Sequence, residues 1–369
     1  MSNEAEAVLA GTPQRPPILS KGPVAWLRAN LFNSPLNTVL TLVSVWILIE
    51  VIPPFFNWAI FDAITGPKSA ADCRAPDAGA CWSFLHEKWR FILFGIYPPD
   101  QHWRPAMSIF LIVAMLVASC DKRLWGKALA VIWLGGMAAV TLLMAGGVFG
   151  LPFVDDTEWG GLALTLIIAV FGMIGGFPLG VVLALGRRSK LPVIRVLCVA
   201  FIELVRGVPL ISVLFMASVM IPLFLSRDVT IDKLLRAEVG YALFFSAYLA
   251  EAIRGGLQAI PRGQFEAADS LGLTYWQKTF KIVLPQALKL VIAPMVNNFI
   301  GQFKDTSLVI IIGIFDLMMT AKTAMSDPAW LGFYKEDYLF IGLIYFAFCF
   351  FMSRYSQWLE RHLHRGHRR

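Results

Sequence analysis

Long, uninterrupted apolar runs constrain this chain more than any other feature of its sequence. No charged residue occurs from 161 to 186, and a helix needs about 20 mostly apolar residues to cross the hydrocarbon core of a bilayer. Backbone polar groups find no water at that depth, so each run must satisfy them within a helix. We therefore predict an all-α integral membrane protein with about eight transmembrane helices. The runs are 38–56, 105–119, 128–150, 161–186, 207–225, 239–253, 288–315 and 338–352.

Composition excludes the main soluble classes of protein. Hydrophobic residues make up 57% of the 369 residues and charged residues only 15%, whereas a soluble domain has about 25% charged residues. These charges are too few to solvate a globule of this size, and the same numbers exclude a disordered chain. The apolar residues are continuous rather than alternating, which argues against a membrane β-barrel.

Positive charges are distributed unevenly between the two sides of the predicted helices. With a cytoplasmic amino terminus, the inner segments hold 21 Lys and Arg residues and the outer segments hold 10, as the positive-inside rule requires. Both termini are therefore predicted in the cytoplasm, with 1–37 as a flexible tail and 358–369 as a basic tail. Because topology accounts for the net charge of +7, we predict no nucleic-acid partner.

The predicted outer loop, 57–104, holds two cysteines. Cys73 and Cys81 are separated by turn-forming residues that include Pro76 and Gly79. A disulfide between them is possible if this loop lies in an oxidising compartment, although spacing alone does not fix the geometry that a disulfide needs.

Motifs for catalysis, metal binding and nucleotide binding are missing. The sequence has no G-x-x-x-x-G-K-[ST], H-E-x-x-H, C-x-x-C or G-x-S-x-G, which are the patterns of phosphate loops, metal sites and reactive nucleophiles. We therefore predict no catalytic residue, no metal site and no cofactor bound by this chain.

The chain after residue 159 carries signs of close helix packing and of a broken helix. Gly172, Gly176 and Gly180 recur on one helical face, a pattern that lets membrane helices approach closely. Gly207 and Pro209 divide an apolar segment that is too long for one crossing, and they predict an interfacial helix followed by a span. Before this break, Glu203 and Arg206 are three residues apart and can form an ion pair at the cytoplasmic edge.

The most informative stretch is polar and lies between the sixth and seventh predicted spans. Pro261 and Gly263 end one helix, and Gly272 permits a sharp turn after the next. Phe265, Ala268, Leu271 and Tyr275 are spaced as an apolar stripe on a short helix, which could enter a groove on a cytoplasmic partner. Glu266 and Arg262 are four residues apart, so they can pair with each other or contact that partner.

This stretch resembles the coupling loop of ABC importer permeases. The motif is Glu266-Ala267-Ala268, then Gly272, then Ile282, Leu284 and Pro285. Further matches to the subfamily that imports polar amino acids, of the HisM and GlnP type, are G-L-A-L-T at 161–165, E-L-V-R-G-V-P-L at 203–210, Y-L-A-E at 248–251, Asn297, and K-D-T-S-L at 304–308. The three additional spans in 38–150 make the chain similar to the longer permease of general L-amino acid importers, the Aap and Bzt systems.

The resemblance implies a fold and a set of partners. Residues 159–357 would form the five-helix, MetI-like permease core, with the coupling loop at 258–289. The implied partners are two copies of a cytoplasmic ATPase that bind ATP and Mg, a second, shorter permease, a periplasmic amino acid-binding protein, and the inner membrane. Residues Arg262, Glu266, Ala267, Ala268, Gly272, Leu284 and Pro285 would couple ATP binding to import of L-amino acids, with broad specificity that includes polar and acidic ones.

Polar residues in the seventh span are the candidates for a translocation path. Charged groups at membrane depth usually face a bundle interior or a watery cavity, and Lys304 and Asp305 could read the carboxylate and the ammonium of an amino acid. The alternative is that these residues pair with Glu251 or with backbone to hold a broken helix. The full set is Glu251, Asn297, Asn298, Gln302, Lys304, Asp305, Thr306 and Ser307.

Two other functions remain open from the sequence. An ion-coupled secondary transporter would need no ATPase, but the two halves of the chain show no evident inverted repeat. A membrane scaffold without transport activity is the third hypothesis.

Overall fold

The computed structural model describes residues 22–226 and 231–364. Within these ranges the chain forms α-helices and short π- and 3-10-helical turns, without a β-strand, which confirms the all-α prediction. The α-helices are α1 Pro23–Asn30, α2 Pro35–Phe56, α3 Trp82–Phe94, α4 Trp103–Ala118, α5 Lys127–Ala145, α6 Gly161–Arg187, α7 Pro192–Gly207, α8 Leu210–Phe215, α9 Ile221–Phe224, α10 Lys233–Ala259, α11 Arg262–Ser270, α12 Tyr275–Lys278, α13 Leu284–Leu290, α14 Ile292–Asp305, α15 Leu317–Met325 and α16 Tyr334–His364.

The chain divides into two compact units after Ser83. The first unit contains α1, α2 and the segment that follows. Helix α2 buries none of its residues, as expected of a helix that is apolar on all sides and meets lipid. After it, Cys73 and Cys81 form a disulfide with their Cα atoms 5.6 Å apart, and Trp82 Nε1 donates a 2.9 Å hydrogen bond to the Ala59 carbonyl.

The second unit begins at Phe84 and includes α4 and α5. The sequence analysis had grouped these two helices with α2 as the three additional spans in 38–150. Within the second unit, α4 packs against both α5 and α6. At the ends of the chain, α1 lies within the predicted tail 1–37, of which 1–21 is outside the described residues. Helix α16 extends to His364, and the rest of the predicted basic tail is outside the described residues.

In the described part of the chain, five helical segments are long and apolar enough to cross a membrane, and two bent pairs raise the number to seven. The pair α7 and α8–α9 bends by 105° at the break that Gly207 and Pro209 predicted. The predicted span 239–253 lies in α10, which has 27 residues and is long enough. Helix α10 is nevertheless not one of these seven segments, because it is not apolar enough. Five charged residues are spread along it, namely Lys233, Arg236, Glu238, Glu251 and Arg254.

Helix α6 is at the centre of the second unit. Its residues from Gly161 to Val170 are all buried, so it is enclosed by other helices on every side. Further along, the predicted glycine stripe meets α10: a Cβ added at Gly180 would lie 2.8 Å from Leu249 Cβ and 3.1 Å from the Ser246 carbonyl oxygen. The small residues therefore bring the two helix backbones together.

Replacing Gly180 by leucine should destabilise the second unit, because the added side chain meets the backbone of α10 rather than a movable side chain. Overpacking of this kind costs about 1–3 kcal/mol. The measurement is thermal unfolding of the detergent-purified protein, with Gly342→Leu as the matched control, since a Cβ at Gly342 meets no atom within 4 Å. Equal melting temperatures for the two variants would contradict the packing role of Gly180.

Candidate functional site

The loop after α10 has the turns that its prolines and glycines predicted. Helix α10 ends at Ala259, and Pro261 caps the start of α11. Gly272 follows α11 with a φ of +68°, a left-handed conformation that a residue with a Cβ adopts only at a cost. Thr274 and Gln277 form a capping box at the start of α12, which satisfies two backbone N–H groups there.

One side of this loop faces the protein and the other faces outward. Ala268 is fully buried, and Phe265 packs against the core between the helices. The predicted continuous stripe through Leu271 and Tyr275 was wrong, because α11 ends at Ser270 and the left-handed turn at Gly272 redirects the chain. Leu271 is 75% exposed and Tyr275 is 53% exposed, so they cannot share a buried face with Ala268.

The outward side carries an apolar surface that the sequence reasoning missed in part. It consists of Leu271, Tyr275, Trp276 and Phe280, all exposed, and we call it the loop surface. The rings of Trp276 and Phe280 stack with their centroids 5.6 Å apart. Exposed clusters of large apolar residues usually mark an interaction site. Arg262, Glu266 and Ala267 are exposed in the neighbouring helix α11.

Buried contacts tie the loop to the membrane helices. Leu284 and Ala287 of α13 belong to one buried cluster with Ala184 of α6, Ile202 of α7 and Ile253 of α10. Such a close-packed cluster transmits displacement, because packed interiors have few voids. A force on the loop would therefore reach three membrane helices at once. Pro285 lies at the start of α13, directly after the π-helical turn Thr279–Val283.

Arg188 gives the loop a second attachment. Its Nη1 donates a 2.8 Å hydrogen bond to the Leu257 carbonyl, and its guanidinium lies 5.7 Å from the centre of the Phe265 ring. A further hydrogen bond of 3.0 Å runs from Gln286 Nε2 to Gln264 Oε1. The two ends of the loop are thus held to each other as well as to α6.

Glu251 is the centre of a cluster of ion pairs at one end of these helices. Arg254 donates to it from Nε and Nη2, and Arg187 Nη1 lies 3.3 Å from its Oε2. The predicted pair between Glu203 and Arg206 does not form: Glu203 pairs with Arg187 at 3.0 Å, and Arg206 Nη1 lies 3.8 Å from Glu251 Oε2. Arg206 is therefore the most loosely held cation of the cluster.

A cavity of 560 Å³ opens beside this cluster, between α10, α14 and the turn after α7. Arg206 and Asp305 supply its charged side chains, while Asn297, Asn298 and Gly301 line the α14 side. The guanidinium of Arg206 also lies 5.5 Å from the centre of the Tyr248 ring, another wall residue. The cavity thus combines a cation, an anion, amides and an aromatic face. The sequence reasoning had assigned Arg206 only to an ion pair.

The remaining predicted path residues do not line this cavity. Gln302 is fully buried, and both its side-chain polar atoms lack a hydrogen-bond partner among the described residues. Lys304 is exposed and lies outside the cavity wall. Thr306 Oγ1 donates to the Phe303 carbonyl at 2.7 Å, and Ser307 Oγ donates to the Lys304 carbonyl at 2.8 Å, so their hydroxyls bond to backbone. The alternative of pairing with Glu251 does not apply, since Glu251 pairs with arginines.

At the opposite end, Asp316 fixes the loop that follows α14. Its Oδ1 accepts a 2.9 Å hydrogen bond from the Met319 N–H and so caps α15. The side chain is fully buried, and desolvation raises the pKa of Asp316 to about 7. In the described part of the chain, no group of three or more His, Cys, Asp or Glu side chains could hold a metal ion.

The family model for the binding-protein-dependent transport system inner membrane component matches residues 176–365, just over half of the chain. The chain belongs to this family. Because the family consists of transport-system membrane components that work with a binding protein, it favours neither a secondary transporter nor a scaffold. The matched region contains the loop, the ion-pair cluster and the cavity.

Two known proteins are similar to this chain over nearly all of its length. The inner membrane amino-acid ABC transporter permease protein YhdY of Escherichia coli (strain K12) is 50% identical over 365 residues, which cover 97% of this chain and 98% of that protein. The glutamate/glutamine/aspartate/asparagine transport system permease protein BztC of Rhodobacter capsulatus is 39% identical over 426 residues, which cover 96% and 97%. A crystal structure of an amino acid ABC transporter with histidines has a TM-score of 0.49 and 32% identity, covering 55% of this chain and 92% of that one.

Proposed function

We propose that this chain is the permease subunit of an ABC importer that moves L-amino acids, acidic and polar ones included, from the periplasm into the cytoplasm. The observation that carries the proposal is the 50% identity, over 97% of the chain, to an amino-acid ABC transporter permease. The relative named for glutamate, glutamine, aspartate and asparagine supports the acidic and amide substrates. A periplasmic binding protein, a second, shorter permease and two copies of a cytoplasmic ATPase complete the assembly, which lies in the inner membrane with both termini inside.

The loop surface and α11 are proposed as the contact with the ATPase. Exposed Leu271, Trp276 and Phe280 offer apolar area, and Glu266 with Arg262 offers charge at its edge. Because Leu284 and Ala287 sit in the cluster shared by three helices, movement of the ATPase would be passed to α6, α7 and α10. Such coupling requires that ATP favour one arrangement of the helices over the other.

The cavity beside α14 is proposed as part of the substrate path. Arg206 can donate hydrogen bonds to a carboxylate, and Asp305 can accept them from an ammonium group. Asn297 and Asn298 can serve as donor or acceptor to either. Among residues 22–226 and 231–364, the only ion pair of Arg206 is the loose 3.8 Å contact with Glu251, so most of its N–H groups can donate to a substrate.

The experiment that tests the function is uptake of radiolabelled L-glutamate, L-glutamine and L-aspartate into vesicles that contain the purified assembly. Uptake should need the binding protein outside and ATP inside, and it should persist when an ionophore removes the ion gradients. Uptake that continued without ATP and stopped with the ionophore would overturn the proposal in favour of a secondary transporter.

Charge reversal at Glu266 should uncouple the assembly. In Glu266→Lys, ATPase activity stimulated by the loaded binding protein should fall about tenfold or more, since a misplaced charge at an interface costs several kcal/mol. The control is Lys190→Glu, a charge reversal of the same size and opposite sign at an exposed position outside the loop, which should leave stimulation near the wild-type level. Full stimulation in an intact Glu266→Lys assembly would remove the coupling role from this residue.

A further inference from the structure

Two apolar cavities meet between the helices of the second unit. One has a volume of 330 Å³ and the other 650 Å³. Trp133 of α5, Phe177 of α6 and Phe299 of α14 line both, so the two spaces form one continuous groove. We call it the apolar groove. It separates α4 and α5 on one side from α6, α14 and α16 on the other.

Water is a poor occupant for this groove. A buried water needs two to four polar partners, and the groove walls are made of aliphatic and aromatic side chains. The indole N–H of Trp133 donates to Ser119 Oγ at 3.0 Å, so even this polar atom is satisfied by the protein. Leaving the space empty would forfeit the dispersion contacts of its lining. In a bilayer the available filler is hydrocarbon.

The groove is long enough to receive an acyl chain. Its wall on α6 extends from Leu166 to Pro178, which is about 18 Å at 1.5 Å per residue. The hydrocarbon core is about 30 Å thick, so the groove covers slightly more than half of it. Ile174, the middle residue of α6, lies within this wall, so an acyl chain that enters from one leaflet and follows the whole wall passes the middle of the helix.

Basic side chains stand at one end of the groove. Gly126 lines that end, and the exposed Lys122, Arg123 and Lys127 are within four residues of it. Among the described residues, neither Arg123 nor Lys127 forms an ion pair with a carboxylate. The Lys122 ammonium lies 5.4 Å from the centre of the Trp358 ring, so the carboxyl-terminal part of α16 lies at the same place. Clusters of this kind next to membrane helices attract anionic lipid headgroups.

We propose that the apolar groove binds one anionic phospholipid of the phosphatidylglycerol type. One acyl chain lies against Trp133, Phe177 and Phe299, and the phosphodiester contacts Arg123 and Lys127 with Lys122 beside them. The lipid fills the space between α4–α5 and the helices that carry the cavity and the loop. It thereby joins the additional helices of this chain to the transport core. This site does not depend on which substrate the permease carries.

The test is photolabelling of the complete assembly in nanodiscs with phosphatidylglycerol that carries a diazirine near the middle of one acyl chain. Peptides are then mapped by mass spectrometry. Labels should concentrate on 126–133, 166–178 and 295–303, and excess unlabelled phosphatidylglycerol should compete better than phosphatidylcholine. Labels spread evenly over the lipid-facing helices, or equal competition by phosphatidylcholine, would overturn the proposal. So would an unlabelled groove in the assembly, since a protein partner would then cover it.

Matched variants separate the acyl chain from the headgroup. Ala130→Phe adds a ring at an exposed residue that lines the groove and should abolish most groove labelling, whereas Ala138→Phe, exposed on the same helix but outside the groove, should not. The double variant Arg123→Gln and Lys127→Gln should weaken competition by phosphatidylglycerol about 25-fold, at about fivefold per basic side chain. The equal charge change Lys190→Gln and Arg195→Gln should leave it unchanged. If the two double variants behave alike, the headgroup site is wrong.

Discussion

Replacing Arg104 by methionine should leave little folded protein in the membrane. Arg104 is fully buried, and its guanidinium donates to three backbone carbonyls, those of Leu143 at 2.6 Å, Met144 at 3.1 Å and Pro152 at 3.0 Å. A fourth bond goes to the Gln101 side chain. In the described residues no carboxylate forms an ion pair with it, so this charge is held by carbonyl dipoles and by the face of the Tyr97 ring, whose centre lies 5.5 Å from the guanidinium carbon.

The loss should be large because, in the described part of the chain, the Leu143 and Pro152 carbonyls accept from no other side chain. The Met144 carbonyl keeps the Tyr97 hydroxyl, which donates to it at 2.9 Å. Leu143 and Met144 belong to the last turn of α5, whose carbonyls lack partners within the helix, and an unsatisfied buried acceptor costs about 1–3 kcal/mol. Two orphaned carbonyls, and a third that loses one of its two donors, amount to a substantial share of a total stability that is typically about 5–15 kcal/mol. The measurements are the yield of folded protein in detergent and its thermal unfolding.

Two variants serve as controls for Arg104. Arg90→Met removes an exposed arginine from the nearby helix α3 and should fold normally. Arg104→Lys keeps the charge but has a single nitrogen that cannot span all four acceptors, so its stability should fall between those of the wild type and of Arg104→Met. Normal folding of Arg104→Met would mean that another donor replaces the guanidinium.

Features set by local chemistry were predictable from the sequence. The apolar run at 161–186 predicted α6 because a bilayer leaves a helix as the only conformation for it. The bend between α7 and α8 followed from Gly207 and Pro209, which interrupt a helix wherever it lies. The face shared by Gly172, Gly176 and Gly180 followed from the helical period alone. In each case residues close in sequence determine the structure.

Features that depend on neighbours from distant segments were not predictable in the same way. Arg104 reads as one more charged residue in an outer loop, since nothing near it in sequence shows that the end of α5 closes over it. Glu203 and Arg206 have the spacing of an ion pair. In the fold, however, Glu203 pairs with Arg187 of α6, and Arg206 contacts Glu251 of α10. Leu271 would extend the apolar stripe of α11 only if that helix continued beyond Ser270. The helix ends there, and the left-handed turn at Gly272 redirects the chain.

Replacing Arg206 by methionine should reduce amino acid uptake about 10- to 150-fold, since a hydrogen bond to a charged group contributes about 1.5–3 kcal/mol. In the proposed substrate path, this guanidinium donates hydrogen bonds to the substrate carboxylate. The variant should still fold, because Glu251 keeps Arg254 and the 3.3 Å contact with Arg187. Assembly with the ATPase and basal ATP hydrolysis should therefore stay near the wild-type values, while uptake by vesicles falls.

Two further variants, Lys304→Met and Arg206→Lys, show whether uptake depends on a cation within the cavity or on positive charge in general. Lys304→Met removes an exposed cation outside the cavity wall, and uptake should change by less than about threefold, as for most surface substitutions. Arg206→Lys keeps a cation in the cavity without the two-pronged geometry that fits a carboxylate, so uptake should recover in part. The sequence assigns the substrate carboxylate to Lys304, whereas the cavity assigns it to Arg206. The two methionine variants therefore distinguish these two interpretations. A larger loss of uptake in Lys304→Met than in Arg206→Met would place the carboxylate on the other face of α14.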